Sequence, residues 1–257
     1  MRGLNQPYES LQDVIEGLRQ IESALRGASD RRAIFATAYL NMTEEIAARV
    51  GDSRFQDPAW VARYALAFAN LYRRALLSYE SGDLPAVPKA WRASFEASQQ
   101  RRVLLLQDLL LGINAHINRD LAFALDEAGI DPERDKRRAD HTAVNDAVRQ
   151  ATDPVQDAIT SRYAPALRLL ERALGPLDEE ITNFSIDKAR FTAWISAVAL
   201  ANARDQAERE DASAAIEDRA SVMAKLIMHP RLPARVVNSM HRIEATSSWT
   251  KLLRRNG

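Results

Sequence analysis

The sequence predicts an all-α protein, a single-domain multi-helix bundle around a buried central helix at about residues 100–128, on three observations. Ala, Leu, Arg, Glu and Gln, the good helix formers, dominate the composition. Only nine Gly and ten Pro occur in 257 residues, and neither alternating apolar/polar segments nor hairpin turns stand out. Apolar residues recur every three or four positions between recognisable caps. With 46% hydrophobic residues the chain can fill a core, so residues 1–257 are read as one domain.

Ser10 and Asp13 form a capping box, and Leu11, Val14, Leu18, Ile21 and Leu25 carry the first helix to Gly27. Asp30 caps a second helix, from about Arg31 to Val50, closed by Gly51, Asp52 and Ser53. Asp57 before Pro58 starts a third, to about Tyr79. Its residues Trp60, Tyr64, Phe68 and Tyr72, each four after the last, form an aromatic stripe of the kind that normally belongs to a core. An unbroken helix from Pro88 to Leu125 would be about 57 Å long, too long for a domain of this size, so a bend near Ser98 is expected. Gly129 ends the central helix, and IDPERDKRR reads as a charged loop. Pro154 begins or kinks the following helix, and Pro165 bends it before Gly175. After a turn at Thr182 to Ser185 comes an Ala-rich helix. Two more helices follow, Asp211 to Met228 and Pro233 to about Arg254. The small-residue face of residues 197 to 204 suggests a homodimer contact.

Composition excludes several functions. Lys plus Arg equals Asp plus Glu at 35 each, so no global field recruits nucleic acid or an anionic membrane. The absence of cysteine removes disulfides, thiolate metal sites and cysteine nucleophiles, and agrees with a reducing, cytoplasmic setting. No signal-peptide core opens the chain, and no apolar run approaches the roughly 18 to 20 residues of a membrane span.

The central stretch LLLGINAHINRDL, Leu109 to Leu121, is where chemistry is expected. His116 and Asp120 fall on one helical face, Asn114 and Asn118 on the opposite one. Because the helix is apolar nearly all round, these groups are predicted to be buried, where each needs a partner or a ligand. Asp120 can orient His116 as a base, or the two can close as a structural pair. A second pair, His141 and Asn145, lies beside Asp140 on the next helix. Arg190 and Trp194 share a face of the Ala-rich helix; Arg190 either anchors an anionic group with Trp194 stacked beside it, or pairs with Asp187 or Asp120. Neither the G-x-S-x-G elbow nor a phosphate-binding glycine loop is present, and the histidine-glutamate motifs of zincins and di-iron bundles are missing.

Residues 110–125 (LLGINAHINRDLAFAL), 140–145 (DHTAVN) and 189–197 (ARFTAWISA) resemble an uncharacterised bacterial family, a domain of unknown function. The stretches FATAYLNMT (35 to 43) and FANLYRRA (68 to 75) extend the likeness over nearly the whole chain. The resemblance implies one all-helical domain with His116, Asp120, Asp140, His141 and Asn145 at signature positions, and no activity.

The residues themselves point to a metal-independent acid/base enzyme, without cofactor, for a cyclisation, isomerisation or elimination of a small, largely apolar molecule in an inter-helical pocket. His116, Asp120, His141 and Asn145 are the catalytic candidates, and Asn114, Asn118, Arg190 and Trp194 the substrate-binding ones. Two other readings use the same chain. A hydrolase would hold a divalent metal such as zinc on His116, Asp120, Asp140 and His141. A non-catalytic helical binding protein would offer the aromatic stripe or the Ala-rich helix to a partner.

Overall fold

The computed structural model describes residues 4–50, 55–100, 102–163, 186–230 and 234–245, and no strand occurs among them. Helix α1 (Leu11–Gly27) begins at the expected capping box, in which Ser10 Oγ accepts from the Asp13 amide and the Asp13 carboxylate from the Ser10 amide at 2.9 Å. Its apolar face, Val14, Leu18, Ile21 and Leu25, is buried. Helices α2 (Ala33–Val50) and α3 (Pro58–Glu80) follow, the latter capped by Asp57 on the Trp60 amide. The bend anticipated near Ser98 is a clean break: α4 (Lys89–Ser98) ends there and α5 (Leu105–Asn114) begins after it. The first amide of α5 is capped from the far end of the chain, Leu105 N–H donating to Glu244 Oε1 at 2.9 Å.

The central helix then widens. Over Ala115–Asp120 it makes a π turn, with the Leu121 amide bonded to the His116 carbonyl five residues back, before α6 (Leu121–Ala128) resumes. Such turns are rare and often sit at functional sites. Gly129, at φ 73°, ends α6 as expected.

Two expectations need correction. The charged segment is only partly loop: α7 starts at Arg134, and Arg137 donates back to the Gly129 carbonyl at 3.0 Å, which fastens the new helix to the end of the old one. Of the two roles offered for Pro154, starting a helix is ruled out, since α7 runs through it to Arg162. Beyond lie α8 (Ile186–Asn202), α9 (Gln206–Met228) and α10 (Ala234–Ala245). Pro165, Gly175, the turn at Thr182 to Ser185 and the stretch toward Arg254 lie outside the described residues.

The run from Leu105 to Ala128 is the axis of the molecule, with α2, α3, α4, α8 and α9 packed around it. One apolar cluster joins α1, α2, α4 and the far half of α3; a second joins α6, the near half of α3 and α8. The two meet at the π turn. Within the 197 to 204 stretch Ala197 and Leu200 are packed inside the second cluster, while Ala199 and Ala201 are exposed. None of the described helices is long and apolar enough to cross a membrane.

Candidate functional site

His116 projects from the π turn into a box of aromatic rings. Phe68 of α3 lies flat against it, with centroids 3.5 Å apart and planes at 5°. Tyr39 approaches to 4.2 Å and Phe35 to 5.7 Å from α2, and Trp91 of α4 stands at 6.2 Å. The imidazole is buried, and neither ring nitrogen has a hydrogen-bond partner. Burial holds its pKa well below the ordinary value, and the positive charge of Arg190 adds to this. The ring is therefore neutral at physiological pH, with one free lone pair and one free N–H.

Asp120 does not orient it. The fully buried carboxylate accepts the Trp91 indole N–H at 2.7 Å on one oxygen and pairs with Arg119 on the other. A charged donor and a short indole bond outcompete a neutral imidazole for a buried carboxylate. Burial still pushes Asp120 up to about 6, with Arg119 and Trp91 pulling back. Arg119 also bonds Glu217, so this network fastens the central helix to α9. The opposite face does similar work: Asn118 donates to Asn114 Oδ1, and Asn114 donates to the Ala220 carbonyl, each at 2.9 Å. Both amides are thus used in packing α9.

The second group assembles around Arg190, which is buried on α8. Its Nε donates to Asn145 Oδ1, and Nη2 donates to the His141 carbonyl at 3.1 Å. Tyr64 lies beside it, and burial raises the Tyr64 phenol while Arg190 pulls it back. The imidazole of His141 completes the clamp. Its Nε2 lies 3.2 Å from the Arg190 carbonyl, which can only accept, so Nε2 carries the proton. Nδ1 is then the acceptor facing Arg190 Nη2 at 3.4 Å. A second proton there would point at a cation. Burial first, and that charge second, bring the His141 pKa down to about 3. Trp194 stacks on His141 at 5.5 Å rather than on the guanidinium.

Neither ion pair considered for Arg190 forms, because Asp187 bonds Arg149 at 2.8 Å and Asp120 belongs to Arg119. Asp140 is no partner either: its two oxygens accept the Gln56 and Asp57 amides at 2.7 Å each, which ties α7 to the start of α3.

The structure thus draws the candidates into two neighbouring groups linked along α3, where Tyr64 touches the Arg190 clamp and Phe68, one turn on, covers His116. His116, His141, Asn145, Arg190 and Trp194 belong to them; Asp120, Asp140, Asn114 and Asn118 are occupied elsewhere. Among the described residues no three His, Asp or Glu side chains converge as a metal site would require, so His116, Asp120, Asp140 and His141 do not form one donor set. Tyr64 and Phe68 were visible in the sequence as part of the aromatic stripe and Tyr39 within its apolar helix, with nothing to mark them as neighbours of the two histidines.

No curated protein and no solved structure matches the chain. A family model does, over residues 11–230, and the chain accordingly belongs to the family of unknown function DUF5995.

Proposed function

We propose that this protein is an acid/base enzyme, independent of metal, that acts on a small and largely apolar molecule, with His116 as the group that takes up and returns a proton. One observation carries the reading: a buried imidazole with both nitrogens unpartnered, walled by Phe35, Tyr39, Phe68 and Trp91. Each unsatisfied buried polar group costs about 1–3 kcal/mol, so an architectural role would favour an apolar ring in this place. A substrate supplies the missing partners. The aromatic walls suit an apolar skeleton, and a neutral imidazole can move a proton within it, as cyclisation, isomerisation and elimination all require. Asn145 and Arg190 form the polar end of the site, and His141 serves as a positioning residue that aims Arg190. The carboxylates of the alternative metal set are engaged with Trp91, Arg119 and backbone amides, which favours the metal-independent reading over the hydrolase. The absence of cysteine fits work in a reducing bacterial cytoplasm.

The test is a screen of small apolar molecules by ligand-observed NMR on the wild-type protein and on His116→Phe, which keeps the stack on Phe68. Expected is a set of ligands that bind the wild type and lose most of their affinity in the variant, whose helical CD spectrum is unchanged. Identical binding by both proteins would overturn the reading. For a hit that is turned over, His116→Phe should lower the rate by at least about 10²-fold.

A further inference from the structure

We infer that Arg190 is the subsite for a single negative charge on the ligand, so that the molecule bound beside His116 is an apolar monocarboxylate. The inference rests on the ligand-site reading above and names its substrate class.

Arginine is seldom buried unless an anion is paired with it, because a buried cation without a counter-charge loses its hydration for little return. Arg190 is 4% exposed. Its hydrogen-bond partners, Asn145 Oδ1, the His141 carbonyl and His141 Nδ1, are all neutral groups. Among the described residues no carboxylate pairs with it: Asp187 bonds Arg149, Asp120 bonds Arg119, and Asp140 accepts two backbone amides. The neutral contacts nevertheless fix the guanidinium: Asn145 holds Nε, the His141 carbonyl holds Nη2, and the His141 tautomer is set by the carbonyl of Arg190 itself. A cation held this firmly, and without a carboxylate bonded to it among the described residues, is arranged for an anion that arrives from outside.

The number of charges selects the anion. One positive charge stands against two neutral imidazoles and a phenol, which balances a carboxylate and leaves a phosphate dianion with an unpaired charge. The rings around His116, linked to the clamp through Tyr64 and Phe68, make the remainder of the ligand apolar. A bound carboxylate also cancels the field that Arg190 exerts on His116, so the imidazole becomes a better base when the site is filled.

The experiment is calorimetric titration of the full chain with phenylacetate and hexanoate, with their neutral amides, and with inorganic phosphate, all at equal ionic strength. The expected result is that at least one carboxylate binds about tenfold or more tightly than its amide and than phosphate, since a charge-assisted bond at a buried cation carries that discrimination. Arg190→Gln, which keeps a donor toward the His141 carbonyl, should abolish the preference. If that variant does not fold, Arg190→Lys should retain a reduced preference. His116→Phe should keep the carboxylate preference; if it does so while turnover persists, the acid/base reading fails and the anion subsite stands. Equal affinity for acid and amide, no saturable binding of either carboxylate, tighter binding of phosphate, or a preference that survives in Arg190→Gln would each overturn the inference.

Discussion

Gly112 has no side chain because Phe35 occupies the place where one would go. A Cβ built there would lie 2.5 Å from Phe35 Cγ, closer than packed atoms approach. The glycine therefore lets α2 bring Phe35, and one turn later Tyr39, against His116. Gly112→Ala should push that wall outward and destabilise the protein by about 1–3 kcal/mol, as overpacking of a filled core does. Urea denaturation measures the loss, and a fall in ligand affinity should accompany it. Trp91 has a double role of the same kind, as a wall of the His116 box and as the donor that holds Asp120. Trp91→Phe keeps the wall and strands a buried carboxylate oxygen, for an expected cost of about 1–3 kcal/mol with ligand binding intact.

Among the elements, the central helix is fixed at its beginning by contacts distant in sequence. Its start is capped by Glu244 of α10, and nearby Asp108 pairs with Arg31 at 2.6 Å. The other oxygen of Asp108 has no partner, and burial pushes this carboxyl up to about 7 in spite of Arg31. Folded, Asp108 keeps its proton to higher pH than it does unfolded, near 3.8. Its contribution to stability is therefore fully present below 3.8 and is lost as pH rises through about 7. Asp108→Asn removes this dependence. The stability of the variant relative to wild type should improve by about 1–3 kcal/mol between pH 5 and pH 8, read from urea midpoints; no change across that range would show that the carboxyl titrates as it does in water. Along the same helix, the π turn is the one irregularity between Leu105 and Ala128, and it is the segment that carries His116.

At the level of the whole molecule, what was legible in the sequence is what periodicity and capping encode. The capping box at Ser10, Pro58 behind Asp57 and Gly129 after the central helix each placed an element end, because they act within one turn of the chain. Burial of His116, Asp120, Asn114 and Asn118 followed from the apolar helix that bears them. Which of them stay free did not, since the deciding partners come mostly from remote positions: Trp91 joins the adjacent Arg119 in taking Asp120, Ala220 takes Asn114, and the amides at Gln56 and Asp57 take the neighbouring candidate Asp140. An i, i+4 spacing shows that two side chains can meet, while competition from a cation and an indole decides that these two do not. The π turn had no sequence signal, and the Arg190 clamp needed three separate helices to come together.

Two buried neutral histidines also give the stability of the chain a sign with pH. Unfolded, each takes up a proton near 6.5, whereas folded His141 resists to about 3 and His116 is likewise held well below its ordinary value. Their contribution is present above 6.5 and lost as pH falls toward 3, opposite in sign to that of Asp108 and Asp120. The stability difference between wild type and His116→Phe should accordingly shift in favour of the variant as pH falls from 7 to 4.

The central claim is that His116 is held neutral and unpartnered to receive a ligand. Nitrogen-15 NMR of histidine-labelled protein between pH 8 and pH 5 tests it directly, with and without a bound molecule from the screen. Expected are a neutral His116 ring throughout that range in the free protein, and ring-nitrogen signals that move when the molecule binds. A His116 that titrates near 6.5, with ring signals indifferent to every molecule that binds the protein, would contradict it.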